Sequence, residues 1–480
     1  MLFSSPLFLY LFLPIVLIGY YFTPKFLKNL WLILASFIFF AWGGVGYSLI
    51  LICSILWNYV FGILIGNNLG SAKAKIYLTI GVGINLLLLC VFKYADFIVQ
   101  NINIVFSHVR FHPLPNPEIA LPIGISFYTF HSLSYLVDIY RRDADAQRKP
   151  VDLMLYISFF PQLVAGPIIR YHDIAYQLDK RTHTVDKFSY GIKRFIIGLA
   201  KKVLLANSFG LIADKIFSSD ISQLSAINAW LGLLSYTFQI YMDFSGYSDM
   251  AIGLALMFGF EFPENFNFPY VSKSIKEFWH RWHISLSTWF RDYLYIPLGG
   301  NKINNRRTYI NLFIVFLATG FWHGASWTFV VWGLYHGFFL ILERIGFDKV
   351  IKRMPNYLAN VYAFLVVMLG WVLFRADSFG HAWQYYKALF NFEFSPAEYS
   401  FFKMNFTIDY WVVLFITTLG AFGVFTIVQR LITTIIDRKF TSYFRYGVET
   451  CYVVFLLMLL AMSTVYLLAG TYNPFIYYRF

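Results

Sequence analysis

Long apolar stretches, separated by short polar loops, follow one another along almost the whole chain. A helix that spans a bilayer needs about 20 predominantly apolar residues. Candidate spans lie at 2–22, 47–66, 76–92, 119–140, 226–242, 246–260, 326–343, 357–374, 410–429 and 448–470. Shorter apolar pieces, typical of re-entrant or cavity-lining backbone, lie at 31–42, 97–106, 153–169 and 309–322. The pattern predicts an all-α, polytopic membrane protein with about 11 transmembrane helices plus re-entrant and interfacial helices.

The ends of the chain follow the same pattern. No Lys or Arg precedes the apolar run from Met1 to Phe22, and no small-residue cleavage site follows it. This run is therefore predicted to be a retained transmembrane helix and not a signal peptide. Because neither an internal repeat nor a soluble linker divides the chain, we expect residues 1–480 to form a single integral membrane domain. The last ten residues, 471–480, form an aromatic tail.

Composition excludes a soluble protein. Hydrophobic residues make up 59% of the 480 residues and charged residues only 13%, against about 25% in soluble domains. The net charge of +13 comes from basic residues between apolar runs, where the positive-inside rule explains them. By that rule both the N-terminus and the tail are predicted on the extracytoplasmic side. Because no basic patch stands on a soluble module, nucleic acid is not expected as a partner.

The most strongly amphipathic segment is 275–292. On a helical wheel its aromatic and aliphatic side chains cover one face, and its polar side chains cover the other. We therefore predict one interfacial or cavity-lining helix, with His280, His283, Ser287 and Arg291 as a narrow polar ridge. The simpler alternative is a surface helix with incidental histidines. A metal site is not expected, because the His-Glu-x-x-His pattern is absent.

A second histidine follows the short apolar piece 309–322. From Thr308 to His323 a helix would rise about 22 Å, at 1.5 Å per residue. Because the hydrocarbon core of a bilayer is about 30 Å thick, His323 is predicted to lie within the depth of the membrane. An ionisable residue at that depth indicates a functional site by default. The alternative is a core histidine that is satisfied by a hydrogen bond.

Other polar residues interrupt the apolar runs, and we expect them to hydrogen-bond between helices more than to catalyse. They are His131, Asp138, Gln239, Asp243, Asp249 and His336. A basic segment around Lys193–Lys202 alternates with apolar residues and predicts an amphipathic helix on the cytoplasmic face. Its partner is either anionic membrane lipid or a substrate that carries phosphate.

Several catalytic motifs are missing from the sequence. It contains no phosphate-binding loop, no Gly-x-Ser-x-Gly elbow and no dinucleotide fingerprint, so no cofactor is expected. Two histidines in a membrane cavity suit proton transfer, in which a neutral imidazole activates an acceptor hydroxyl against a bound thioester. The alternative function is a transporter or flippase for an acyl donor or a lipid-linked glycan.

Several ordered motifs of this chain resemble those of one family. They are Leu121-Pro-Ile-Gly-Ile-Ser-Phe127, Phe160-Pro-Gln-Leu-Val-Ala-Gly-Pro167, Asp243-Phe-Ser-Gly-Tyr-Ser-Asp249, Pro263-Glu-Asn-Phe-Asn-Phe-Pro269, Phe278–Gly300 and Gly320-Phe-Trp-His-Gly-Ala-Ser-Trp327. The chain resembles the membrane-bound O-acyltransferase superfamily, in its alginate O-acetyltransferase-like bacterial branch. The resemblance covers nearly the whole sequence.

The resemblance implies a fold and a function. The fold would be a ring of transmembrane helices around a tunnel, in the bacterial cytoplasmic membrane. His323 would be the hallmark catalytic residue and His283 the second. From the sequence pattern, His280, Ser287, Arg291 and Asp243 are predicted as supporting polar residues. The acyl group would come from acetyl-coenzyme A or another cytoplasmic acyl thioester. A periplasmic or membrane-anchored partner acyltransferase would pass it to an exopolysaccharide or cell-wall glycan.

The tail carries a second resemblance. The residues Phe475-Ile476-Tyr477-Tyr478-Arg479-Phe480 are similar to the Phe-x-Tyr-x-x-Phe motif that ends proteins of bacterial acyl-relay systems. That similarity implies that Tyr477 is a candidate acyl carrier. The alternative is an aromatic belt at the membrane interface, which the composition explains equally well.

Overall fold

The computed structural model describes residues 1–439, 442–470 and 472–476, with side chains described except at 433, 435–439 and 442–444. Every regular element in these residues is a helix. Those long and apolar enough to cross a membrane are Val45–Asn67, Ala72–His108, Val185–Phe217, Trp327–Ile351, Asn356–Arg375 and Arg445–Leu468. The prediction of an all-helical, polytopic membrane protein is confirmed. The count of about 11 spans is not, because 6 described helices qualify, or 7 with one bent pair.

The N-terminal third consists of successive long helices. They are Phe8–Phe22, Lys28–Ala41, Val45–Asn67, Ala72–His108 and Ile125–Arg141, followed by the short Pro150–Ser158 and Phe160–Leu163. The apolar pieces predicted separately at 76–92 and 97–106 lie in one helix of 37 residues, Ala72–His108. The polar residues between these pieces include neither Gly nor Pro, so they interrupt the hydropathy without breaking the helix.

Two long helices form the centre of the protein, after a short helix at Tyr171–Asp179. Ala226–Met257 joins the predicted spans 226–242 and 246–260 and is buried along nearly its whole length, as expected for a helix enclosed by others. It packs against Val185–Phe217, which contains the basic segment around Lys193–Lys202 that sequence reasoning predicted as an amphipathic helix on the cytoplasmic face. This segment is helical but is not a separate surface helix, because Val185–Phe217 contains an apolar window long enough to cross a membrane and Lys202 is buried.

The C-terminal half contains the motif-bearing helices. They are Ile275–Arg281, Ile284–Phe290, Asn305–His323, Trp327–Ile351, Asn356–Arg375 and Phe379–Ala388, and then Pro396–Asn405, Ile408–Ala421, Val424–Lys439 and Ser442–Leu468. The single helix predicted at 275–292 is wrong, because the structure divides it at His283. The predicted span 410–429 is also divided, between Ala421 and Val424.

Candidate active site

His323 is the last residue of the helix Asn305–His323, here called the His323 helix. The residue is buried, with 5% of its surface exposed. Its imidazole packs against the rings of Trp322, Trp332 and Phe374, at centroid distances of 4.9, 4.9 and 5.1 Å. These rings exclude bulk water from the imidazole, and exclusion of water strengthens any hydrogen bond that the histidine makes to a reacting group.

Close helix packing brings the aromatic rings onto His323. The first part of the next helix, Trp327–Ile351, runs back against the His323 helix at Gly333. A Cβ atom at this position would lie 2.2 Å from the carbonyl oxygen of Phe316, which is too close for any side chain. The glycine therefore permits the approach that places Trp332 against the imidazole.

Lys93 fixes the end of the His323 helix from a different part of the chain. It lies within the long helix Ala72–His108, and its Nζ donates to the carbonyl oxygen of Trp322 at 2.5 Å and to that of His323 at 3.4 Å. It also donates to the hydroxyl of Ser126 at 3.3 Å. A cation at a helix C-terminus is attracted by the partial negative charge there and stabilises the helix end. Sequence reasoning missed Lys93, although a lysine inside a long apolar stretch was a usable signal.

His283 lies at the break between the two short helices. Its φ of +41° is in the left-handed region that residues other than glycine rarely adopt. The break turns the imidazole inward, so that the residue is 1% exposed and its ring centre lies 4.6 Å from that of Phe244. It is 6.1 Å from the ring centre of Trp322. The two histidines therefore approach the same tryptophan from different segments.

Asn265 orients His283 through its side-chain amide. Oδ1 of Asn265 accepts from Nδ1 of His283 at 3.1 Å and from the hydroxyl of Ser285 at 2.9 Å. The amide nitrogen donates to Ser248 at 3.0 Å. Because Nδ1 carries the donated proton, Nε2 of His283 is the free basic atom of a neutral ring, and it has no hydrogen-bond partner among the described residues. Asn265 lies within a quoted family motif, but sequence reasoning did not assign it a role.

The predicted polar ridge is divided by the same break. His283 points into the protein, whereas His280 and Arg291 are exposed and Ser287 is half-buried. The prediction of a single polar ridge is therefore wrong, because it assumed one continuous helix over 275–292. His280, Ser287 and Arg291 instead line a separate cavity.

That cavity, here called the basic cavity, has a volume of about 1120 Å³. Its cationic lining consists of Lys273, Lys276, Arg291, Arg344 and Lys352, and its apolar lining includes Trp279, Phe290, Phe316 and Leu340. A cavity with cations and an apolar wall suits a ligand that carries both phosphates and an apolar arm.

A smaller cavity of about 100 Å³ contains His323 in its lining and is here called the His323 cavity. Lys93, Trp322 and Phe475 of the C-terminal tail also line it. The His323 helix contributes Thr319 to the basic cavity and His323 to the smaller one. The histidine is therefore one helical turn from the first cavity and in the wall of the second.

The remaining predicted polar residues lie outside this centre. Asp243 is buried and forms an ion pair with Lys202, with 2.7 Å between Oδ1 and Nζ. His336 is buried among aromatic rings, 5.1 Å from the ring centre of Trp332. The predicted carrier, Tyr477, lies outside the described residues, and the described part of the tail ends at Ile476.

Asp138 belongs to a polar network near the C-terminal end of the helix Ile125–Arg141, whereas His131 lies in the middle of that helix and its Nε2 accepts from the backbone N–H of Ile169 at 3.4 Å. Asp138 accepts from Nδ1 of His172 at 2.9 Å and from the hydroxyl of Tyr293 at 2.5 Å. Hydrogen bonds to Asp138 and Asp173 raise the pKa of His172 to about 9, so that this histidine is charged at neutral pH. These contacts join helices and give Asp138 a structural role.

Fold and site together define a multi-pass membrane enzyme with a water-excluded histidine between two cavities. The family described as MBOAT, membrane-bound O-acyltransferase family, matches residues 125–375, which include both His283 and His323. The chain belongs to this family of membrane-bound O-acyltransferases.

Three relatives show how far the similarity extends. A protein named probable alginate O-acetylase AlgI from Azotobacter vinelandii is 48% identical over 393 residues, which cover 82% of this chain and 78% of the relative. The protein of the same name from Pseudomonas putida is 42% identical over 488 residues, with full coverage of both chains. The peptidoglycan O-acetyltransferase of Helicobacter pylori is 39% identical and covers 81% of this chain and 80% of the relative.

Proposed function

We propose that this protein transfers an acetyl group from a cytoplasmic acyl thioester, acetyl-coenzyme A or another, toward an extracytoplasmic glycan. The observation that carries the proposal is the position of His323, between the basic cavity and a cavity lined by the C-terminal tail. A periplasmic or membrane-anchored partner acyltransferase would complete the transfer. Relatives named for alginate and for peptidoglycan O-acetylation support an exopolysaccharide or cell-wall glycan as the final acceptor.

His323 acts as the proton-transfer residue in this proposal. A hydroxyl oxygen attacks the carbonyl carbon of the thioester, a C–O bond forms and the C–S bond breaks. The neutral imidazole accepts the hydroxyl proton and returns it to the departing thiolate, so that the donor leaves as a free thiol. His283 assists through Nε2. Asn265 keeps this nitrogen unprotonated because its Oδ1 accepts a hydrogen bond from the N–H at Nδ1 of His283.

The charge distribution supports a direction for the reaction. The cations around the basic cavity match the phosphates of a coenzyme A thioester. By the positive-inside rule these cations are expected on the cytoplasmic side. In this orientation the donor enters from the cytoplasm, and the N-terminus and tail lie on the extracytoplasmic side.

The proposed donor can be tested with two substrates. Purified protein should release free coenzyme A from acetyl-coenzyme A, whereas a transporter would not. Lys276→Gln and Arg344→Gln should each raise KM for acetyl-coenzyme A by about tenfold, because each removes a charge-assisted contact to phosphate. Neither change should alter KM for S-acetyl-pantetheine, which carries no phosphate.

Lys349→Gln is the control for the donor test, because Lys349 is exposed, lies five residues after Arg344 and does not line the cavity. It should leave both KM values unchanged. An equal rise of KM for the two donors would show that the cations do not recognise phosphate. No turnover of either donor by folded protein would overturn the thioester assignment.

The role of Asn265 gives a separate prediction. Asn265→Ala removes the acceptor for Nδ1 of His283 and should lower the rate of acetyl transfer about 10- to 100-fold, the cost of leaving buried polar groups unpaired. Asn265→Asp keeps an acceptor oxygen and should recover part of the rate. The control is Asn267→Ala in the same loop, where the side chain is exposed. Equal rates for Asn265→Ala and Asn267→Ala would remove Asn265 from the site.

A further inference from the structure

The C-terminal tail enters the interior of the protein at residues 473–476. Phe475 and Ile476 are 5% and 8% exposed, and the ring of Phe475 lies 4.8 Å from that of Tyr247. Phe475 also lines the His323 cavity. A segment outside regular α-helix that is buried in this way needs partners for its backbone groups.

Two opposite charges supply those partners. Lys202 and Asp243 are each 1% exposed and form an ion pair with 2.7 Å between their charged atoms. Nζ of Lys202 donates to the carbonyl oxygen of Pro474, and the backbone N–H of Ile476 donates to Oδ2 of Asp243 at 3.1 Å. Each charge therefore holds one backbone group of the tail, at positions two residues apart.

We propose that the Lys202–Asp243 ion pair is the binding site for the chain's own C-terminal tail. The pair fixes residues 474–476 so that Phe475 reaches the His323 cavity. The proposal concerns where the tail binds, and it holds whether or not Tyr477 carries an acyl group. Lys202 and Asp243 are positioning residues in this proposal, because they contact the tail and not the thioester.

The free-energy cost of burying two charges supports the tail as a partner of this ion pair. Two buried charges are costly unless further hydrogen bonds complete both ions. Lys202 donates such bonds to the Pro474 carbonyl oxygen and to Oδ1 of Asn207, the latter at 3.0 Å. Lys202 also lies in a π-helical turn, Lys201–Ala206, within an otherwise α-helical segment, and such turns often occur at functional sites.

The tail sequence fits the site. Pro474 has no N–H, so the tail buries no backbone donor at the position where its carbonyl meets Lys202. The side chain of Asn473 accepts from Asn207 at 3.2 Å and donates to the carbonyl oxygen of Ser4 at 2.9 Å. The tail is thereby held at both ends of its buried segment.

The neighbouring residue supplies a matched control. Lys201 forms an ion pair with Asp249 across the same two helices, also at 2.7 Å. Asp249 accepts from Arg194 as well, and none of its hydrogen bonds among the described residues is to the tail. Lys201→Met and Lys202→Met therefore remove the same charge from adjacent positions, and only the second removes a contact to the tail.

The experiment measures access to the tail. A chain with Cys53, Cys90 and Cys451 replaced by Ala and with Ile476→Cys is purified in detergent and treated with a water-soluble maleimide. Lys202→Met and Asp243→Asn should each increase the rate of labelling at least about tenfold, because each removes a charged partner of the tail backbone. Lys201→Met should leave that rate within about twofold of the parent.

A second variant covers the case in which a single change prevents folding. Lys202→Met combined with Asp243→Leu leaves no unpaired buried charge, and it should fold and label as fast as the single variants. In addition, removal of residues 472–480 should make the effect of Lys202→Met on the melting temperature smaller, while the effect of Lys201→Met stays the same. Equal labelling of the folded Lys201 and Lys202 variants would overturn the proposal.

Discussion

Replacing His323 with alanine should lower acetyl transfer to the extracytoplasmic glycan by about a thousandfold, within the range that general acid–base groups supply. The imidazole lies in the wall of the tail-lined cavity, one turn from the basic cavity. The measurement is acetate released by mild alkali from the polymer, compared at equal amounts of membrane-inserted protein.

His336→Ala is the matched control for this change. His336 is buried in the same aromatic layer, and its ring centre is 5.1 Å from that of Trp332, against 4.9 Å for His323. Both substitutions remove the same volume from the same layer, so both carry a similar cost in packing. We expect His336→Ala to retain most of the activity. A similar loss in both variants would mean that His323 acts through packing and not through its imidazole.

The features of the site that depend on neighbouring residues in the chain could be predicted from the sequence. The length of the apolar piece before His323 and the flanking aromatic residues predict a buried histidine near the end of a helix, and the structure has that arrangement. The all-helical fold follows from the apolar stretches for the same reason, because each stretch satisfies its own backbone groups.

The failures come from contacts between distant segments. His283 was placed on a polar ridge because periodicity alone continues the helix through 275–292. In the structure Asn265, from the preceding loop, accepts from His283 and Ser285 and stabilises a left-handed residue that no periodic pattern indicates. Lys93 and the Lys202–Asp243 pair were missed for the same reason, since each has a main partner more than 40 residues away in the chain.

Two helices were each predicted as two separate apolar pieces because hydropathy does not locate helix ends. Polar residues within Ala72–His108 and Ala226–Met257 divide the apolar runs, but neither helix is interrupted. A lysine or aspartate inside a helix can be paired with another helix, as Asp243 is. A dip in hydropathy therefore marks a buried polar contact as readily as a loop.

Tyr477→Phe should reduce transfer to the glycan to the level of cells that lack the protein. This change removes one hydroxyl, and with it the oxygen that would form the acyl ester. The preceding residues are bound in the interior, with Phe475 in the lining of the His323 cavity. A phenyl ester is a more activated acyl group than an alkyl ester, which suits an intermediate that passes its acyl group onward.

The adjacent tyrosine separates this role from a general need for aromatic residues in the tail. Tyr478→Phe changes the same functional group one position further along and should leave transfer unchanged. In cells without the partner acyltransferase, mass spectrometry of the C-terminal peptide should find acetyl on Tyr477 of the parent protein, and none after Tyr477→Phe or His323→Ala. Full activity of Tyr477→Phe would contradict the carrier role and leave the tail as a bound structural segment. Loss of transfer in both tyrosine variants, with no acetyl on the C-terminal peptide of the parent protein, would mean that the tail acts through packing.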